Sequence, residues 1–92
     1  MSIEQRMSQI ESLLFASSTP LKAAEIAEVL GLDETTVLRL VDLVAERLRE
    51  HGHGVQVIRV AGGYQMATVP ENAYFVSRLS QIGERSKLSA AA

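Results

Sequence analysis

His51-Gly52-His53-Gly54 places two histidines two residues apart, and imidazole is the side chain best suited to bind a divalent cation or move a proton near neutral pH. A metal site needs three or four ligands. The chain has no cysteine, and nothing near the pair in sequence completes a set. The pair therefore reads as a solvent-exposed, glycine-rich connection. Carboxylates also pair at helical spacing, Glu25 with Glu28 and Glu46 with Glu50, as acid–base chemistry would use them. No histidine, serine elbow or glycine-rich phosphate loop accompanies either pair, and charges at such spacing normally face water. Gly62-Gly63 is followed by a strand-like run, so it is no phosphate cradle. No catalytic, cofactor-binding or metal-binding residue is assigned, and no cofactor is expected.

A fourth constellation is larger. Ala23–Leu30, Gly31-Leu32-Asp33 and 34–50 form helix, tight turn and helix. In a DNA reader the first turns of the later helix meet base edges and phosphates. Here they hold Asp33, Glu34, Thr35 and Thr36. The carboxylates suit the positive end of the helix dipole but meet phosphates with the wrong sign. Arg39, Arg47 and Arg49 alternate with Asp42, Glu46 and Glu50, the pattern of a solvated mixed-charge face. A winged-helix DNA-binding transcriptional regulator is thus the alternative reading, and strong direct DNA binding is not expected.

These residues are carried by a simple order of elements. Ile3, Met7, Ile10 and Leu14 recur at helical spacing from Ser2 to Ala16. Pro20 then biases Thr19 out of helical angles. A second helix, about 22–30, turns Ala23, Ile26, Ala27 and Leu30 inward. Lys22 offers no capping oxygen, so Glu25 lacks the reciprocal partner of a capping box. Gly31 ends that helix in the left-handed conformation. Asp33 caps the third, with Leu32 and Val37 as a hydrophobic staple. The third helix, 34–50, has the core stripe Val37, Leu40, Val41, Val44 and Leu48. Two strand-like runs, 55–61 and 64–69, flank Gly62-Gly63, a strong signal for a two-residue hairpin turn. That turn pairs Ala61 with Tyr64, Arg59 with Met66 and Val57 with Thr68, and on the other face Val60 with Gln65 and Ile58 with Ala67. A last helix, about 71–80, presents Phe75, Leu79 and Ile82 as a buried edge. The fold class is α+β and mainly helical. Helix, helix, turn, helix, hairpin, helix is the winged-helix plan, assigned to residues 1–82.

Composition sets the limits. The 92 residues suffice for one ordinary domain. With 47% hydrophobic and 22% charged residues, a packed core is expected and global disorder is not. A domain this small keeps much apolar surface wet. The net charge of -2 opposes a purely electrostatic nucleic-acid binder. No run approaches the ~20 apolar residues of a membrane span, and the N-terminus lacks the pattern of a secretion signal. A cytoplasmic location without membrane contact is expected.

Some apolar residues fall outside the stripes. Phe15 lies away from the first helix's line and Leu43 outside the third helix's stripe. On the ribbon, Tyr64 and Met66 share one face, with Ile58 and Val60 on the other. These six are the candidate protein-interaction residues. For Phe15 core packing is the first reading; for the ribbon, core filling and a partner patch stand as equal alternatives.

Taken in order, the segments resemble the segregation and condensation protein B family. Ile10-Glu-Ser-Leu-Leu-Phe-Ala-Ser-Ser-Thr-Pro-Leu21 matches its opening helix and Pro-Leu step. Glu25-Ile-Ala-Glu-Val-Leu-Gly-Leu32 follows in place. Val57-Ile-Arg-Val-Ala-Gly-Gly-Tyr-Gln-Met-Ala-Thr68 is the most specific piece, near the family's wing hairpin, and Pro70-Glu71 and Lys87-Leu-Ser-Ala-Ala91 complete the set. The resemblance implies a non-enzymatic accessory subunit of the bacterial SMC–kleisin complex that condenses and partitions chromosomes in the cell cycle. It implies a homodimer, a kleisin partner, an indirect link to the SMC ATPase and a cytoplasmic, nucleoid-associated place. Family members carry two winged-helix domains. Residues 83–92 are accordingly expected to be linker and the start of a second, truncated one, with dimerisation the activity expected of this segment alone.

Overall fold

A computed structural model describes the chain from residue 1 to 86, with side chains through residue 82. The start of a second domain expected at 88–92 lies outside the described residues. The order is α1 (Ile3–Ala16), α2 (Ala23–Leu30), α3 (Glu34–Glu50), β1 (Val55–Val60), β2 (Gly63–Thr68), a 3-10 turn at Pro70–Asn72, and α4 (Ala73–Ser86). This is the expected winged-helix order.

Local chemistry sets the boundaries. Ser2 caps α1 by a capping box: its hydroxyl accepts from the Gln5 N–H at 3.1 Å, and Gln5 Oε1 accepts from the Ser2 N–H at 2.8 Å. In α2 only one arm of that device exists. Glu25 Oε1 accepts from the Lys22 N–H at 2.8 Å, while the Glu25 N–H donates to the Lys22 carbonyl at 3.0 Å, since an ammonium cannot accept. Gly31 ends α2 at φ 70°. The Arg6 guanidinium donates to the Leu30 carbonyl at 3.2 Å, placing a cation at the negative end of α2 and tying α1 to it.

The core gathers where the stripes converge. Met7, Ile10 and Leu14 from α1, Ile26 and Ala27 from α2, and Val37, Leu40, Val41, Val44 and Leu48 from α3 are all buried. Ile3 is the exception in α1, 57% exposed, because the capped first turn extends past the end of the cluster. Among the described residues no polar or charged side chain is buried.

The hairpin departs from expectation in register. Val57 faces Met66 and Arg59 faces Tyr64, with Val60 opposite Gly63. The two-residue turn is therefore Ala61-Gly62, both at positive φ, 52° and 78°, and the pairing is displaced by two residues along β2. Gly63 is not free to turn. A Cβ there would stand 2.8 Å from the Leu21 carbonyl oxygen, so this glycine is required inside the strand by close approach. The displacement is even, so each residue keeps the face assigned from alternation.

Leu21 closes the body. Its N–H donates to the Tyr64 carbonyl at 2.8 Å and its carbonyl accepts from the Tyr64 N–H at 2.7 Å. The wing is thus clamped to the segment between α1 and α2. The last helix differs most. It runs from Ala73 to Ser86 rather than about 71–80, and Phe75, Leu79 and Ile82 are 68%, 53% and 44% exposed. The buried edge expected of them is not formed on this body.

Candidate interaction surfaces

The six apolar residues singled out from the sequence do not converge on one patch. Tyr64 is buried with the core. β2 carries it inward directly beside the Leu21 clamp, and the exposed Arg59 guanidinium lies 5.6 Å from its ring centroid. Tyr64 offers no surface, and that candidate is corrected to a core residue. Met66 points the same way, half-buried against the core.

Phe15 reverses its first reading. It is 69% exposed, because its Cβ leaves α1 well round from the Leu14 side. Phe15 and Met66 line one shallow groove together with Glu11, Ser12 and Val55. The fold therefore brings these two candidates together. Leu43, 40% exposed, lies elsewhere and borders a groove with Ile3 and Met7 between α1 and α3. Ile58 and Val60 sit half-buried on the outward face of the hairpin.

Two apolar surfaces were missed. One lies where α1 and α2, both leaning on α3, diverge. A groove of about 220 Å3 is lined there by Leu13, Ala16, Leu21, Ile26 and Val29, with Glu25 at the rim. Val29 is 66% exposed. It lies off the Ala23–Ile26–Ala27–Leu30 stripe, and the off-stripe test that found Phe15 and Leu43 finds it when applied to α2. The other is α4, where every side chain from Ala73 to Ile82 is exposed. Tyr74 and Phe75 meet edge to face at 5.3 Å, and Arg78 lies 5.9 Å from the Tyr74 ring centroid.

The polar features are sparse. Asp33 caps α3, its Oδ2 accepting from the Thr36 N–H at 3.3 Å and its Oδ1 from the Thr36 hydroxyl at 2.7 Å. The Thr36 hydroxyl, then its N–H, hold the Asp33 carboxyl below the ordinary carboxylate range. The leading end of α3 is therefore anionic and exposed. Arg47 and Glu4 form a 3.8 Å ion pair at the surface. His51 and His53 are exposed, their rings 6.4 Å apart. Among the described residues no group of three or more His, Cys, Asp or Glu side chains could hold a metal ion, and no helix is long and apolar enough to cross a membrane.

Comparison with known proteins gives one consistent answer. Residues 8–92 match the family model described as segregation and condensation complex subunit ScpB. Segregation and condensation protein B of Brevibacillus brevis is 37% identical over 84 residues, covering 90% of this chain and 43% of that protein. The protein of the same name from Symbiobacterium thermophilum is 42% identical over 83 residues, covering 89% of this chain and 37% of that protein. The chain thus spans less than half the length of these relatives. Among solved structures, ScpB from Mycobacterium tuberculosis superposes with a TM-score of 0.86 at 25% identity, over 97% of this chain and 56% of that one. A dimer of an ScpB N-terminal domain complexed with an ScpA peptide superposes with a TM-score of 0.80 at 26% identity, over 84% of this chain and 96% of that one.

Proposed function

From the premise that the chain belongs to the ScpB family of segregation and condensation complex subunits, we propose that it is a non-enzymatic accessory subunit of a bacterial SMC–kleisin complex. It acts in chromosome condensation and partition by pairing with a second copy and holding a segment of the kleisin. The observation that carries this reading is the match to a relative whose N-terminal domain is a dimer complexed with an ScpA peptide, since this chain covers 96% of that domain. The SMC ATPase is reached through the kleisin, and the place of action is the cytoplasmic nucleoid. In the whole protein, this winged helix is joined to a second domain of the same class.

Physical chemistry supports the same direction. The apolar surface is distributed over α1, α2, α4 and the hairpin's outer face, whereas a phosphate-binding face would need clustered cations. The first turn of α3 is acidic, and the wing tip Ala61-Gly62 carries no basic side chain. Arg59, nearest the tip, already lies over Tyr64. No observation favours the DNA-binding regulator.

The test is titration of the purified chain with a peptide from the kleisin of the same genome, read by calorimetry. Saturable binding with a negative heat-capacity change is expected, as burial of apolar surface requires. A chain that stays monomeric at ~100 µM and ignores the kleisin would overturn the reading.

A further inference from the structure

Two apolar surfaces of this chain face solvent and cannot cover each other. The α1–α2 groove lies beside Leu21, which pairs with Tyr64 near the turn end of the hairpin. The helix α4 leaves from the opposite end, after Thr68. The molecule measures 45 × 25 × 25 Å, and a fourteen-residue helix is ~21 Å long, so α4 projects as an arm rather than folding back.

We infer that α4 is an exchange arm: the Phe75–Leu79 side of one copy seats in the α1–α2 groove of a second copy, and the second copy returns the contact. This rests on the self-association proposed above and names its surface. The match is one of shape and of charge. Phe75 and Leu79 are four apart on one side of a helix, suited to a groove lined by Leu13, Ala16 and Val29. Arg78 is the one charged side chain between Ala73 and Ile82, and the groove's rim carries the Glu25 carboxylate. Pairing α4 with another α4 would instead bring Arg78 toward Arg78.

Area also favours reciprocity. Buried aromatic side chains contribute on the order of 150–250 Å2 each. One seating of the Phe75–Leu79 side in the groove falls short of a stable interface. Two, related by a twofold axis, reach the order of 1,000 Å2 at which specific interfaces begin.

The experiment is sedimentation equilibrium on the full chain and on Leu79→Glu and Val29→Glu, with disulfide trapping beside it. Both substitutions are at exposed positions, so the circular-dichroism melt of dilute protein should stay unchanged. Each should weaken self-association by ~100-fold or more, as charges placed in an interface centre do. The chain has no cysteine, so mixing Leu79→Cys with Val29→Cys should trap a mixed dimer. If both glutamate variants dimerise like the parent, or if Leu79→Cys couples only to itself, the exchange arm is overturned while self-association stands. If both variants remain dimeric but lose the kleisin peptide, the groove or arm belongs to the kleisin, which also overturns it. A parent chain that is monomeric fails at the earlier reading.

Discussion

Gly63 and Ala61 are two residues apart and illustrate opposite demands on the backbone. Ala61 sits at φ 52°, where a side chain costs about 1–2 kcal/mol. Ala61→Gly removes that strain but adds about 0.5–1 kcal/mol of chain entropy to be lost on folding, so a near-neutral urea midpoint is expected. Gly63→Ala drives a methyl to 2.8 Å from the Leu21 carbonyl oxygen. The clamp on Tyr64 must then open, and a loss of about 1–3 kcal/mol in unfolding free energy is expected. Asp33 gives a prediction in pH. Its carboxyl titrates lower in the folded chain than its ordinary 3.8 because the Thr36 hydroxyl and N–H favour the anion. The folded state therefore holds fewer protons there, and the cap's stabilisation is complete above the ordinary value and lost as pH falls through the lowered one. The stability difference between the parent and Asp33→Ala should stay constant above about pH 5 and shrink below it. A difference that grows on acidification would refute the assignment.

At the scale of elements, legibility followed whether an element's partner lies within the chain. The α3 stripe Val37, Leu40, Val41, Val44 and Leu48 was readable in full, because its cover comes from α1, α2 and the hairpin. The Gly31 stop and the Asp33 cap were readable because capping is local chemistry. The hairpin's existence and faces were readable, but its register was not: Gly63 is needed by a long-range approach to Leu21 that no local rule reports. Of the candidate residues, Leu43 lies off the core stripe as read, Phe15 reverses from core to surface, and Tyr64 takes the core-filling side of its two open alternatives. A bulky residue one step off a stripe is assigned by neighbours, not by spacing. The α4 pattern was the same amphipathic signal as α3, read as a buried edge, but amphipathicity specifies that a helix be covered and not by what. Two truncations separate the cases. Ile10→Ala removes a fully buried side chain and should cost about 2–5 kcal/mol. Phe75→Ala, at a position 68% exposed, should change the unfolding free energy of dilute protein by no more than ~0.5 kcal/mol. A comparable loss at both sites would mean that α4 folds onto its own body.

For the molecule as a whole, the sign and placement of charge select the kind of partner. The formal net charge is -2, and the helix that would enter a major groove begins with an exposed Asp33 and Glu34. Each arginine on α3 has a carboxylate nearby in sequence, so no stripe of uncompensated cations runs along it. Counterion release, which supplies nearly all non-specific DNA affinity, scales with the phosphates neutralised. A face that neutralises fewer than two should give a log–log salt slope shallower than about -2. Fluorescence anisotropy with a labelled duplex of mixed sequence should show dissociation constants no tighter than ~10⁻⁴ M at physiological salt, the weak end of non-specific binding. If the proposed kleisin contact is made by the apolar surfaces of this chain, it should instead change little between low and moderate salt, since screening acts on exposed charges and not on buried apolar area. Different salt responses for the two ligands, a fall for DNA and little change for the kleisin peptide, are therefore expected from one preparation. Submicromolar duplex binding with a steep salt slope would mean that the winged helix keeps its DNA-reading face despite the acidic first turn of α3.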